Sequence, residues 1–460
     1  MIDLDIAGIA DALGGELADC PHPDAKVTGA AADSRRVAPG DLYVAIVGER
    51  VDGHDFAEAA HAAGAVVTLG SRPTGQPTIV VPDPVEALGR LATHTLRALP
   101  QATVVAVTGS AGKTSTKDLI ATLLEDLGPT VATAGSFNTE VGLPLTVLRA
   151  TADTRYFVLE MGARGIGHVA ELCAIAPPTI SVVLNVGTAH LGEFGSREAI
   201  ATAKGEIVEA LPAAGLAVLN ADDPLVAGMA SRTQAAVRTF GAGPTADVRV
   251  ADLVLDDAAC PGFRLVTPQG SADVQMTMVG EHQALNGAAA AAVAGHLGQP
   301  VARTAELLAA AQPRSAWRME VGRTADGVTI VNDAYNANPE SMRAALRSLA
   351  AMRSGGRTFA VLGTMAELGD AAMTEHDAIG RLAVRLSVAR TIAVGDGARA
   401  LYLGASQEGS WDGEASWVPD AQAAVAMLRS ELQPGDVVLI KASRSAGLEA
   451  VAQALLEVAP

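Results

Sequence analysis

The sequence predicts an α/β chain of three domains, and three observations carry that prediction. Short, nearly continuous apolar runs alternate with helix-forming stretches through the middle of the chain, Pro and Gly cluster near residue 80, and the alternation restarts after residue 313. Apolar strands alternating with helices are how a parallel sheet covers both its faces. The chain has 460 residues, and at roughly 150 residues per domain this length suits about three.

Residues 1–84 form the first expected unit, a small α/β domain. Within DSRRVAPGDLYVAIVGERVDGHDF (33–56), the strand-like run 42–47 sits between Gly, Pro and Asp turns. Pro73, Gly75, Pro77, Pro82 and Pro84 punctuate its end. The second unit, 85–313, is expected to be a central parallel-sheet domain. Its strands are predicted at 103–107, 156–161, 180–186 and 215–220, and its helices at 113–127, 165–175 and 197–211. Residues 247–279 break the rhythm as an antiparallel insertion, and the alanine-rich stretch 283–298 is a helix by propensity. The third unit, 314–460, is predicted to be doubly wound and Rossmann-like. Its strands fall at 329–333, 359–363, 391–395 and 437–441, between helices near 340–352, 373–388, 420–432 and 445–457.

Bulk composition excludes several function classes. A hydrophobic content of 49% fills buried cores, so disorder is not the main state. The N-terminus MIDLDIAGIADALGG lacks a basic region, so no signal peptide is expected. Apolar runs such as 288–294 are too short to span a bilayer. Three distant cysteines (Cys20, Cys173, Cys260) support neither a disulfide framework nor a CxxC metal site, and a reducing cytoplasm is expected. A net charge of −18 opposes general nucleic-acid binding. It does not oppose a phosphate ligand in a cleft, because the Debye length at physiological salt is only about 8 Å.

The stretch VVAVTGSAGKTSTK (104–117) carries the strongest chemistry. An apolar strand, the turn Thr108-Gly109-Ser110-Ala111-Gly112 and a helix opening at Lys113-Thr114 together make an anion nest. Backbone N–H groups and the positive helix end face a phosphate, Lys113 neutralises charge, and the Thr114 hydroxyl reaches a magnesium ion. The full Walker pattern has glycine where this chain has Val107, so the match is to the shortened form TGxxGKT.

Ligands of open parallel sheets bind beyond the carboxyl ends of the strands. Glu160 ends the strand YFVLE, His190 follows ISVVLNV, and Lys204 lies in the helix 197–211. With Thr114 these could supply oxygen and nitrogen ligands to divalent cations. Each also has a plainer use, the Glu as a helix cap, the His as a surface hydrogen-bonder, the Lys as a solvated face residue. If Lys204 faces magnesium, a unit-charge pair at about 4 Å and an effective dielectric near 20 costs about 4 kcal/mol, doubled by a divalent ion. Lys204 must then contact phosphate, or lose its charge by carbamylation and become an anionic oxygen ligand.

In this order, Thr108–Thr114, Glu160-Met161-Gly162, His190, Lys204, the run NADDP (220–224) and Trp317-Arg318-Met319-Glu320 resemble the Mur ligase superfamily, ATP-dependent amide-forming enzymes of peptidoglycan precursor synthesis. The likeness covers essentially the whole chain. EMGARGIG at 160–167, VNDAYNANPESM at 331–342 and KASRSAGLE at 441–449 are similar to the branch that joins D-alanyl-D-alanine to UDP-N-acetylmuramoyl-tripeptide. The DNPR run of diaminopimelate-adding members is absent, and Ala442 stands where that branch has glycine.

The resemblance implies roles. ATP would be held by Thr108, Gly109, Ser110, Ala111, Gly112, Lys113 and Thr114, with Asn286 at the adenine and Arg318 and Asp333 reaching phosphate and ribose. Mg2+ would be held by Thr114 and Glu160, and a second ion by Glu160, His190 and carbamylated Lys204. The catalytic set would be Lys113, Glu160, His190 and Lys204. Residues 1–84 would bind the uridine nucleotide, with Ser34, Arg35, Asn138 and Thr139 contacting substrate, and Lys441 would approach the γ-phosphate. A monomer that does not enter the membrane is expected. The rival readings are a third-step, amino-acid-adding ligase, a folate-extending relative, a GTPase-like switch and a non-catalytic scaffold. The absence of NKxD opposes the switch, the 33–41 DSRRVAPGD stretch opposes the folate reading, and the intact Lys113, Glu160, His190 and Lys204 oppose the scaffold.

Overall fold

The computed structural model describes residues 1–187, 191–352, 355–409 and 413–457. Three sheets organise it. The first has five strands in the spatial order Glu16–Ala18, Thr78–Val80, Val67–Gly70, Asp41–Val44, Gly29–Ala31, parallel except for the first pair. Leu42, Val44, Val67, Leu69 and Ile79 pack from it against Ile6, Ile9 and Leu13 of the helix Ile6–Leu13. The helix Pro84–Arg97 leaves this unit. Asp83 accepts from the N–H groups of Val85 and Glu86, and proline at the first position needs no partner. It buries Ala87, Leu88 and Leu91 in the first core and Ala92 in the next, and so ties the two units together.

The central sheet has nine strands, with Thr103–Thr108 between Tyr156–Glu160 and Ile180–Val183. Side chains alternate across a strand, and Thr103–Thr108 feeds two cores. Val105 and Val107 face the helices Lys113–Glu125 and His282–His296 on one side, while Val104 and Ala106 face the opposite core. Ala288–Ala294 are all buried, so their small side chains let the alanine helix lie close to the phosphate-loop helix. The stretch predicted as an antiparallel insertion extends this same sheet. Val248–Leu255 pairs parallel with Ala236–Gly241, and only Pro261–Thr267 and Gly270–Gln275 add on antiparallel.

The third sheet has six strands, in the order Glu320–Arg323, Thr329–Asn332, Val437–Lys441, Thr358–Leu362, Arg390–Val394, Ala415–Val418. Its first pair is antiparallel and the rest parallel. Val437 and Leu439 enter one core, Val438 and Ile440 the other. Ala442 is fully buried beyond this strand, and a Cβ on Gly363 would meet its Cβ at 2.7 Å. The close approach of the Ala442 Cβ therefore leaves no room for a side chain at Gly363. Among the described residues no helix is long and apolar enough to cross a membrane.

Candidate active site

The strands Thr103–Thr108, Tyr156–Glu160 and Ile180–Val183 run parallel, so their carboxyl ends open on one cleft. Gly112 precedes the helix Lys113–Glu125 at φ +83°, and a Cβ there would lie 2.9 Å from Asn286 Oδ1. Both its conformation and its space demand glycine. Asn185 fixes the turn. Its Oδ1 accepts from Ala111 N (2.8 Å), its Nδ2 donates to Ala111 O (3.1 Å), and its carbonyl accepts from Ser110 N (3.1 Å). Ser110 Oγ accepts from Gly187 N, and Thr108 Oγ1 donates to Met161 O. Lys113 Nζ donates to Gly109 O at 2.7 Å, which folds the ammonium back over the loop.

Glu160 is 1% exposed. Its carboxylate accepts from Thr114 Oγ1 (2.9 Å) and Asn138 Nδ2 (2.7 Å), and its N–H donates to Thr133 Oγ1. Lys204 is 3% exposed, on the helix Arg197–Glu209, and no described residue lies within ion-pair distance of its ammonium. Burial, with Lys113 adding repulsion, holds its pKa well below the ordinary value. Burial also lowers Lys113, opposed by Glu160 and assisted by Arg318. The hydroxyl of Thr114 and the carboxylate of Glu160 make a hard oxygen pair on the cleft wall, which fits a magnesium ion that completes its shell with waters and phosphate oxygens. Among the described residues no group of three His, Cys, Asp or Glu would cage a metal by itself.

The third sheet supplies the opposite wall. Arg318 Nη2 donates to Thr114 Oγ1 at 3.2 Å, and its guanidinium lies over the Tyr335 ring at 4.3 Å. Trp317 and Met319 on either side of it hold φ of +59° and +51°, conformations that side chains seldom adopt. Asp333 accepts from Met319 N and from Lys441 Nζ (2.6 Å), and Lys441 also donates to Asn336 O at 2.9 Å. Asn338 Nδ2 reaches Ser110 O at 3.2 Å. Ser136 Oγ and Tyr335 OH are hydrogen-bonded, while Arg36 of the first unit lies over the ring of the adjacent Phe137. The cleft between the walls encloses about 890 Å³.

Comparison with known proteins agrees along the chain. The family models described as Mur ligase family, catalytic domain (residues 26–95), Mur ligase middle domain (107–294) and Mur ligase, glutamate ligase domain (317–444) all match. A Mycobacterium tuberculosis protein named UDP-N-acetylmuramoyl-tripeptide--D-alanyl-D-alanine ligase is 49% identical over 501 aligned residues, covering 99% of this chain and 98% of its own. The chain belongs to the Mur ligase family. Among solved Mur ligase structures, MurF from Acinetobacter baumannii superposes with a TM-score of 0.88 at 32% identity, over 99% of both chains. MurF from Thermotoga maritima, in complex with ADP, superposes at 0.80 and 31% identity over 94% of this chain and 97% of its own.

The fold of this Mur ligase brings most of the predicted residues to one cleft. Ser110, Ala111, Gly112, Lys113, Thr114, Asn138, Thr139, Glu160, Lys204, Asn286, Arg318, Asp333 and Lys441 all line it. Thr108 is fully buried beneath the loop. Ser34 and Arg35 are not among the lining residues. They lie in the short turn Ser34–Arg36, where Arg35 pairs with Asp33 at 2.8 Å and holds that carboxyl down at about 2. His190 lies outside the described residues. The run NADDP is architectural, since Asn220 Nδ2 donates to Leu184 O and Asp223 Oδ2 accepts from Val186 N. Sequence reasoning missed Asn185, Tyr335 and Asn338. The only signal for them was position, just beyond a strand end.

Proposed function

We propose that this chain is an ATP-dependent ligase that joins D-alanyl-D-alanine to UDP-N-acetylmuramoyl-tripeptide and releases ADP and phosphate. The observation that carries the reading is the facing of two walls. A phosphate loop and a strand-end carboxylate on one side meet Arg318 of the other at hydrogen-bond distance. Relatives and neighbours bearing that enzyme's name over their full length support it.

The chemistry divides into two transfers. A tripeptide carboxylate oxygen attacks the γ-phosphorus of ATP, the bond to ADP breaks, and an acyl phosphate forms. The dipeptide amine then attacks the acyl carbon, loses a proton, and expels inorganic phosphate. In the first transfer Lys113 and the loop N–H groups orient the phosphates, and Arg318 adds charge from the opposite side as the γ-phosphoryl loosens. Asn286 is the candidate for adenine, with Asp333 for ribose, and Asn138 and Thr139 are candidates for the muramoyl-peptide end. Thr114 and Glu160 would hold magnesium, which when bound supplies further neutralisation of phosphate charge. His190 and Lys204 would serve a second ion. Burial and the Lys113 charge lower the pKa of the Lys204 amine, which favours the neutral form that takes up carbon dioxide to become an anionic ligand. Acyl phosphates hydrolyse, so water must be kept out. Closure of the third unit on the second, through Tyr335 with Ser136 and Asn338 with Ser110, is the means we assign. A cytoplasmic monomer completes the reading.

The test is phosphate release from ATP by the purified chain with UDP-N-acetylmuramoyl-tripeptide. Release that depends on D-alanyl-D-alanine and not on a single amino acid is expected. Equal release without any dipeptide would overturn the proposal.

A further inference from the structure

The connection that carries Arg318 runs along the phosphate-loop helix. Residues 114, 118 and 125 share one face of the helix Lys113–Glu125, since 118 lies about one turn beyond 114. The connection meets them in reverse order. Arg314 forms a fork on Glu125 at 2.6 Å, Ser315 Oγ donates to Asp118 Oδ2 at 2.8 Å, and Arg318 Nη2 donates to Thr114 Oγ1 at 3.2 Å. The middle contact is the buried one, with Ser315 9% and Asp118 7% exposed.

Asp118 is itself immobilised. Its other oxygen lies 2.5 Å from the ammonium of Lys117, a lysine only 1% exposed, which also donates to Thr133 O at 2.6 Å. The Thr133 hydroxyl in turn accepts from the N–H of Glu160. Ser315 is thus bonded to a fixed point of the same scaffold that sets the strand-end carboxylate. The need for such a hold is visible three residues on. Trp317 and Met319 keep left-handed conformations around Arg318, and backbone of that kind persists only where its surroundings over-determine it.

We propose that Ser315 and Asp118 are positioning residues for Arg318, their buried hydrogen bond setting where the interdomain connection lies along the phosphate-loop helix. The inference rests on the role given to Arg318 above. Loss of the Ser315 hydroxyl frees the connection to slide, and Arg318 leaves the γ-phosphate position although the cleft stays otherwise intact. The effect belongs to the phosphoryl-transfer step, so kcat falls while KM for the UDP-nucleotide holds.

The experiment is a double-mutant cycle on the full chain, reading D-alanyl-D-alanine-dependent phosphate release. Ser315→Ala lowers kcat by about tenfold or more, as expected for misplacing a catalytic group by a fraction of an ångström. Ser315→Thr, which keeps the hydroxyl, recovers most of it. In an Arg318→Ala background, Ser315→Ala changes kcat by less than roughly twofold, because the group it positions is gone. Asp118→Asn, which weakens the bond by giving Ser315 a neutral acceptor in place of a charged one, runs in the same cycle should Ser315→Ala fail to fold; its smaller loss of kcat likewise appears only when Arg318 is present. Equal losses with and without Arg318, or a Ser315→Ala enzyme with wild-type kcat, would overturn the proposal. An Arg318→Ala enzyme with wild-type kcat would instead sink the role given to Arg318, and dipeptide-independent release by the wild type would sink the ligase reading.

Discussion

On the wall of the cleft built by the third sheet, Lys441 is buried with a full set of partners, Asp333 at 2.6 Å and Asn336 O at 2.9 Å. On the wall built by the central sheet, Lys204 is as deeply buried and is bonded to no carboxylate among the described residues, and Lys113 donates to the carbonyl of Gly109 and feels the Glu160 carboxylate only through space. All three pKa values are pulled down by burial, but only Lys441 has a bonded carboxylate pulling back. A paired buried charge is already committed to the fold, whereas an unpaired one costs stability and is kept for a ligand. On the function proposed above, the central wall would carry the charge that meets ATP, while on the other wall Lys441 holds Asp333, which accepts from Met319 N beside Arg318.

The largest expected effect comes from removing the uncommitted charge nearest the loop. Lys113→Ala should lower kcat by about 10³-fold or more with the fold retained, read as ADP release beside circular dichroism. A variant that loses its fold instead would break the contrast. Lys441→Ala should do the reverse. It leaves Asp333 buried without its partner and should cost about 3–5 kcal/mol in urea unfolding. Lys204→Met should sharpen the comparison from a third side, abolishing turnover while raising stability by about 1 kcal/mol or more at neutral pH. The stability gain has a defined pH dependence. Below the ordinary lysine value of 10.5 the unfolded chain binds a proton that the folded chain refuses until its own lowered pKa is reached. Wild-type stability therefore falls through that window as pH falls, and the gap to Lys204→Met widens as pH drops below 10.5. A gap that shrinks toward low pH would mean that Lys204 is paired. The smallest effect is expected at Arg35→Ala, which is not among the residues lining the cleft. The Asp33 carboxyl should titrate near its ordinary 3.8 instead of about 2, followed by NMR, and the small stabilisation from that pair is present above 3.8 and lost as pH falls through about 2.

Strand positions in the two large sheets were legible because those strands are buried on both faces and read as continuous apolar runs. VVAV at 104–107 and VVLI at 437–440 feed two cores each. The strands Glu320–Arg323 and Ala415–Val418 were not legible, being sheet-edge strands with a partly exposed face and a mixed sequence. The helix Arg399–Glu408 was also missed. In the site, Lys113, Thr114 and Glu160 were readable from local spacing, since one loop and one strand end fix them. Tyr335, Asn338 and Ser315 act through partners about 200 residues away, and no local pattern encodes such contacts.

The loop that carries Ser136, Phe137 and Asn138 touches all three units, through Tyr335, Arg36 and Glu160 respectively. Three consecutive residues thus answer to three separate neighbours, and their spacing along the chain cannot change without breaking register with at least one. A one-residue insertion within 136–138 would shift at least one of these contacts relative to the others. A library of single-glycine insertions along the chain should accordingly find 136–138 intolerant, and the exposed turn at Gly75, where nothing lies within 4 Å of an added Cβ, permissive.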